Sequence, residues 1–214
     1  MPARRRTRSR GASTKRAGWR NHPNVVVVHD VGTHERDVFV AMEFIRGDTL
    51  QAWRVLRPRK WSEIVDLYVQ AGRGLAAAHA VGLVHRDFKP SNAMVGDDGR
   101  VRVLDFGLCH AELGASGDSL RDSSSAPESG STGRLQVSLG EGMVGTPAYM
   151  APEQFHGRTV GAASDQFSFC ASLYEALYEQ LPFAGETVHQ LAYAVSRGEV
   201  RPPPRGTRVP VWLH

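Results

Sequence analysis

The chain has 214 residues, of which 41% are hydrophobic and 22% charged, enough for one or two compact units with a real core. No apolar run approaches the roughly 20 residues needed to span a bilayer, and the first residues lack the apolar stretch of a secretory signal, so a soluble, cytoplasmic chain is expected. The formal net charge of +4 is uneven, because residues 1–20 hold eight Arg or Lys and no acid, leaving −4 for the remainder.

Residues 1–20 are rich in Arg, Ser, Thr and Gly and read as a basic disordered tail. Such a tail could hold nucleic acid by counterion release, but only Trp19 is interleaved as an aromatic and no nucleic-acid fold follows, so a solvated arm is the preferred reading. Val25 to Val31 and Val38 to Phe44 are β-rich runs around a polar turn, which predicts two antiparallel strands. Thr49 is placed to cap a short helix through Val55, which Pro58 terminates. Ser62 is the expected cap of the next helix. There Ile64, Val65, Tyr68, Ala71, Leu75 and Ala78 recur at helical spacing, His79 is expected only to pack, and Gly82 supplies the left-handed turn that ends it.

Next comes His85-Arg86-Asp87-Phe88-Lys89-Pro90-Ser91-Asn92. A short apolar strand, Ala93-Met94-Val95, a hairpin turn at Asp97-Asp98-Gly99 and a returning strand, Val101 to Leu104, then deliver Asp105-Phe106-Gly107. Ala151-Pro152-Glu153 follows much later. A lone Asp is usually a solvated charge and a lone Asn a turn residue. The ordered set instead describes a phosphoryl-transfer site, in which one carboxylate accepts the proton of an attacking hydroxyl while an Asn and a second Asp give oxygen ligands to magnesium. Asp87, Asn92 and Asp105 fit those roles.

With HRDFKPSN, VRVLDFGL, GTPAYMAPEQ and SDQFSFCASLYEAL in that order, the sequence resembles the bacterial eukaryotic-like Ser/Thr protein kinase family. The resemblance implies an α+β, two-lobed protein-kinase-like fold with a mostly helical large lobe. It also implies ATP and Mg2+ as cofactors, and a protein substrate with a Ser or Thr acceptor. By resemblance Asp87 is the catalytic base, Lys89 neutralises charge on the transferred phosphoryl group, and Asn92 and Asp105 hold the metal. Met42, the backbone of Glu43 and Ile45, and Met94 surround the adenine, and Thr146 lines the acceptor surface. His85 packs beneath the site, Asp165 accepts hydrogen bonds from the backbone of the catalytic loop, and Arg86, with His110 where relatives often carry Lys or Arg, is the clamp for a phosphorylated segment.

Complete domains of this family run to roughly 250 to 300 residues. No G-x-G-x-x-G or Val-Ala-x-Lys precedes Asn21, so a truncated small β lobe and an incomplete large lobe are expected. The organisation reads as a tail at 1–20, a remnant of the small lobe and hinge at 21–47, and a large lobe at 48–214 with a disordered insertion at 116–142 whose serines are phosphorylation candidates. Glu153 is expected to lack a partner. Ser164 should cap a helix from Asp165 to Tyr178 that buries Phe167, Cys170, Ala171, Tyr174 and Leu177. Cys109 and Cys170 lack metal-ligand spacing and receive no chemistry. The competing reading is an inactive kinase fragment or pseudokinase that acts by protein binding.

Overall fold

The computed structural model describes residues 22–34, 37–106 and 147–214. The basic tail, the insertion at 116–142, Cys109, His110 and Thr146 therefore lie outside the described residues. Two small sheets and five α-helices form the rest. Strands β1 (Val28–His34) and β2 (Asp37–Met42) make an antiparallel two-stranded ribbon. Strands β3 (Gly47–Thr49), β4 (Ala93–Gly96) and β5 (Val101–Val103) make a second antiparallel sheet in the order β3-β4-β5. The expected division between residues 47 and 48 falls inside β3.

The first apolar run divides differently from the expectation. Val25 and Val26 are 1% and 3% exposed and lie against β5, where the Val26 amide donates to Val103 O and the Val103 amide donates to Asn24 O, each at 3.0 Å. Only from Val28 does the chain join the ribbon. The cause lies in α2 (Trp61–His79), where Gly74 has no side chain: a Cβ there would sit 2.3 Å from Asn24 O. Residues 24–26 fill that notch and are buried between helix and sheet.

Helix α1 (Leu50–Val55) begins as expected, with Thr49 Oγ1 accepting from the Ala52 amide at 3.1 Å. Helix α2 begins two residues earlier than expected. Its cap position is Lys60, whose amide donates to Glu63 Oε2 at 2.9 Å, so Ser62 lies inside the first turn. The predicted stripe is buried at Ile64, Tyr68, Ala71, Leu75 and Ala78, whereas Val65 is only half-buried and Gly74 joins the stripe. Ile64, Tyr68, Ala71 and Leu75, with Leu50, Phe88, Val101 and Val103, belong to the main core.

Two further helices are α3 (Pro152–Phe155) and α4 (Ala162–Tyr178). Helix α4 starts three residues before the expected Asp165. Ser164 is in its first turn, where its Oγ accepts from the Gly161 amide at 3.2 Å. The buried face also differs from expectation: Cys170 is exposed, Phe167, Tyr174 and Leu177 are half-buried, and Ser164, Asp165, Ser168, Ala171 and Ser172 are buried. Small serines are tolerated inside because their hydroxyls return to the helix, Ser168 Oγ to Ser164 O at 3.1 Å and Ser172 Oγ to Ser168 O at 2.8 Å. With no bulk on that face, α4 packs closely on α2, and Tyr68 Oη donates across to Ser172 O at 2.9 Å. Helix α5 (Val188–Arg197), capped by Thr187, buries Leu191, Ala194 and Val195 against Phe183, and the chain ends in a short 3-10 turn, Val211–Leu213. Among the described residues, no helix is long and apolar enough to cross a membrane.

Candidate active site

Gly82 turns the chain at the end of α2 with φ of +78°, and the segment from Val84 then leads toward β4, with Phe88 in one core cluster with residues of β4 and β5. Phe88 is 1% exposed and His85 is equally buried beside it, their ring centroids 5.8 Å apart at 84°. Burying a side chain such as Phe88 stabilises by about 1.5–3 kcal/mol, which fixes the middle of the loop. Its start is fixed by Asp165 of α4, a buried carboxylate that accepts from the His85 and Arg86 amides, each at 2.7 Å. His79, expected only to pack, donates Nε2–H to the same carboxylate at 2.7 Å. A buried charge is tolerated where three donors converge on it.

His85 joins the two motif segments. Its Nε2–H donates to Leu104 O at 2.8 Å, while Nδ1 accepts from the Asp87 amide at 3.3 Å. One nitrogen donates and the other accepts, so the neutral imidazole is the form that satisfies both bonds. Burial, the largest influence, pushes the His85 pKa below its ordinary value, against the opposing pull of Asp165, the Leu104 carbonyl, Asp87 and Asp105.

Asp87 stands at the mouth of this loop, partly exposed. Lys89 Nζ lies 2.8 Å from Asp87 Oδ2. Asn92, which closes the short 3-10 turn Pro90–Asn92, donates Nδ2 to Asp87 O at 2.9 Å and to Asp87 Oδ2 at 3.3 Å. With both of those bonds spent on its amide nitrogen, Asn92 leaves Oδ1 as the atom available to a metal. The Leu104 amide donates to Asn92 O at 2.9 Å, which draws the end of β5 onto the loop and places Asp105 immediately beyond. Asp105 is exposed and holds φ of +55°, a left-handed conformation that turns the chain sharply at that carboxylate. Phe106 packs on His85 with centroids 4.9 Å apart.

The segment joining β2 to β3 carries Glu43 and Ile45. The Glu43 amide donates to Val27 O at 2.9 Å, and its side-chain Oε1 accepts from the Val27 amide at 2.9 Å. Ile45 is buried, while Met42 is 36% exposed and Phe44 88%. Met42 is therefore not a core residue. Met94 pairs with Thr49 and Arg102 in the β3-β4-β5 sheet, half-buried, so the sheet carries it from the β2–β3 connection toward the loop. Asp97 and Asp98 are exposed at the hairpin turn. A bidentate contact from Arg102, 2.8–3.1 Å, holds the Asp98 carboxyl down to about 2.

The structure thus brings Asp87, Lys89 and Asn92 into direct contact and places Asp105 next to the carbonyl that His85 binds. Residues without an expected role at the site complete the frame. Besides His79, Gln154 of α3 donates Nε2 to Arg86 O at 2.8 Å. Glu153, expected to lack a partner, accepts a hydrogen bond from Ser164 Oγ. Arg54 of α1 pairs with Glu175 of α4 at 3.2 Å, and Tyr149 Oη donates to the other oxygen of Glu175 at 2.6 Å. No hydrophobic periodicity marks these residues.

A family model of the protein kinase domain matches residues 15–202. A probable serine/threonine-protein kinase of Corynebacterium efficiens is 32% identical over 192 residues, covering 87% of this chain and 26% of its own length. The serine/threonine-protein kinase PknB of Mycolicibacterium smegmatis is 33% identical, with coverage of 86% and 28%. PknL of Mycobacterium tuberculosis is 36% identical over 174 residues, with coverage of 81% and 39%. The chain belongs to the protein kinase family, in its bacterial eukaryotic-like Ser/Thr branch. That family generally uses ATP with Mg2+. The chain spans between 26% and 39% of the length of these relatives.

Proposed function

We propose that the chain is the catalytic portion of a protein serine/threonine kinase that transfers the γ-phosphoryl of ATP to a Ser or Thr hydroxyl of a protein. The observation that carries this reading is the contact set around Asp87: a partly exposed carboxylate with a Lys at 2.8 Å and an Asn bonded to its backbone and side chain. Asp87 is oriented to take the proton of the attacking hydroxyl. Lys89, on the same oxygen, is close enough to stabilise charge on the phosphoryl oxygens in the transition state. Thr146 is assigned to the acceptor surface from its place in the sequence.

Asn92 Oδ1 and the Asp105 carboxylate are suited to Mg2+, a hard cation that takes oxygen ligands and shares them with substrate phosphates. Among the described residues, no group of three or more His, Cys, Asp and Glu is arranged to hold a metal. Bound there, Mg2+ would neutralise phosphate charge and orient the transferred group. Met42, Glu43, Ile45 and Met94 are assigned to the adenine, with the backbone of Glu43 and Ile45 supplying its hydrogen bonds.

Steady-state phosphorylation of a generic Ser/Thr protein substrate tests the assignment. Replacing Asp87 by Asn keeps the bond to Lys89 possible but removes the base, so kcat is expected to fall by about 10²–10⁴-fold with ATP affinity retained. An Asp87→Asn variant as active as the parent chain would overturn the role. The alternative, a kinase-fold protein that acts by binding a partner, has no observation in its favour here.

A further inference from the structure

The peptide unit that leads into Asp87 is gripped from both sides. Its N–H, the Asp87 amide, donates to His85 Nδ1 at 3.3 Å. Its carbonyl, Arg86 O, accepts from Gln154 Nε2 at 2.8 Å. Arg86 itself holds φ of +73°, a conformation that side-chain-bearing residues rarely adopt, so the plane of this peptide depends on what binds it. The His85 bond is long and the weaker of the two, whereas the Gln154 bond has near-ideal length. The preceding amide, Arg86 N–H, is separately fixed by Asp165, so the orientation of the following plane is set by His85 and Gln154.

Gln154 is itself held. Its Oε1 accepts from the Ala151 amide at 2.9 Å, which locks the side chain across the first turn of α3, and its neighbour Glu153 ties α3 to α4 through Ser164. Helix α3 follows the 3-10 turn Pro147–Tyr149, which comes in sequence just after Thr146, the residue assigned to the acceptor surface. We infer that Gln154 is a positioning residue for Asp87: through the Arg86 carbonyl it makes the orientation of the base depend on the placement of α3. The inference rests on the reading of Asp87 as the base.

Two variants of the full chain test it. Gln154→Glu keeps the shape and the acceptor for Ala151 but cannot donate to Arg86 O, and Gln154→Met removes both functions without adding charge. Hydrogen exchange of the peptide covering residues 84–89 should quicken by about tenfold in both, the consequence of one lost hydrogen bond, with exchange in α2 unchanged. In phosphotransfer, kcat should fall by about tenfold with KM for ATP unchanged, because the β2–β3 connection is untouched. Exchange equal to the parent in both variants overturns the inference, as does faster exchange throughout α2, which would show a merely structural role. A parent chain without phosphotransfer would count against the kinase reading alone, and the exchange comparison would still decide the role of Gln154.

Discussion

His85 shows how one side chain sets both the geometry and the pH response of the site. It needs an acceptor at Nδ1 for the Asp87 amide and a donor at Nε2 for Leu104, so protonation would point a second N–H at an amide that already donates. Its folded pKa lies below the ordinary value of 6.5. As pH falls through that value, the unfolded chain takes up a proton that the folded chain refuses. The stability His85 contributes is therefore complete above it and is lost as pH falls toward the folded pKa. Unfolding free energies measured from about pH 7.5 to about pH 5.5 should decline more steeply for the parent chain than for His85→Asn. Equal slopes would mean that His85 is not the group responsible.

At the scale of elements, the junction of α2, α4 and the β3-β4-β5 sheet is made by residues with little side chain. Gly74 lets residues 24–26 pass against α2, and the serines of α4 let the two helices approach. Gly74→Ala sets two effects against each other. Alanine favours a helix interior over glycine by about 1 kcal/mol. A Cβ 2.3 Å from Asn24 O, however, must displace backbone, and overpacking of that kind costs about 1–3 kcal/mol. Net destabilisation in urea denaturation is expected, and a stabilised variant would contradict the close approach. The same residues explain what the sequence could reveal. The apolar stripe of α2 and the Thr49 cap were legible because large residues at helical spacing and a capping oxygen each leave a local signal. The buried face of α4 was misread because hydroxyls that bond back to their own helix look polar in sequence. The start of β1 differs from expectation because Val25 to Val31 reads as one strand, while only contact with Gly74 and Val103 divides it. Asp87, Lys89, Asn92 and Asp105 stand out in the sequence because the proposed phosphoryl transfer demands those residue types in that order. The residues that brace them, His79 and Gln154, act across long sequence separations and carry no local mark.

For the whole molecule, one continuous core joins α1, α2, α4 and the β3-β4-β5 sheet to Phe88, so the loop bearing Asp87 is part of the core's own packing. The ribbon β1–β2 stands in a different condition. Val31 and Phe39 are 57% and 49% exposed, and its attachment runs through Glu43, Val27 and Arg102. The structure thus joins a loop packed into the core, which carries the residues proposed as base and metal ligands, to a lightly held ribbon that leads to residues proposed for the adenine, and the core-held side is proposed to suffice for holding the nucleotide with magnesium. Calorimetric titration of the purified chain with ATP and Mg2+, set beside Asp105→Ala, decides whether it does. Magnesium-dependent binding in the micromolar range that is lost in the variant is expected, and the absence of binding at millimolar ATP would overturn this reading.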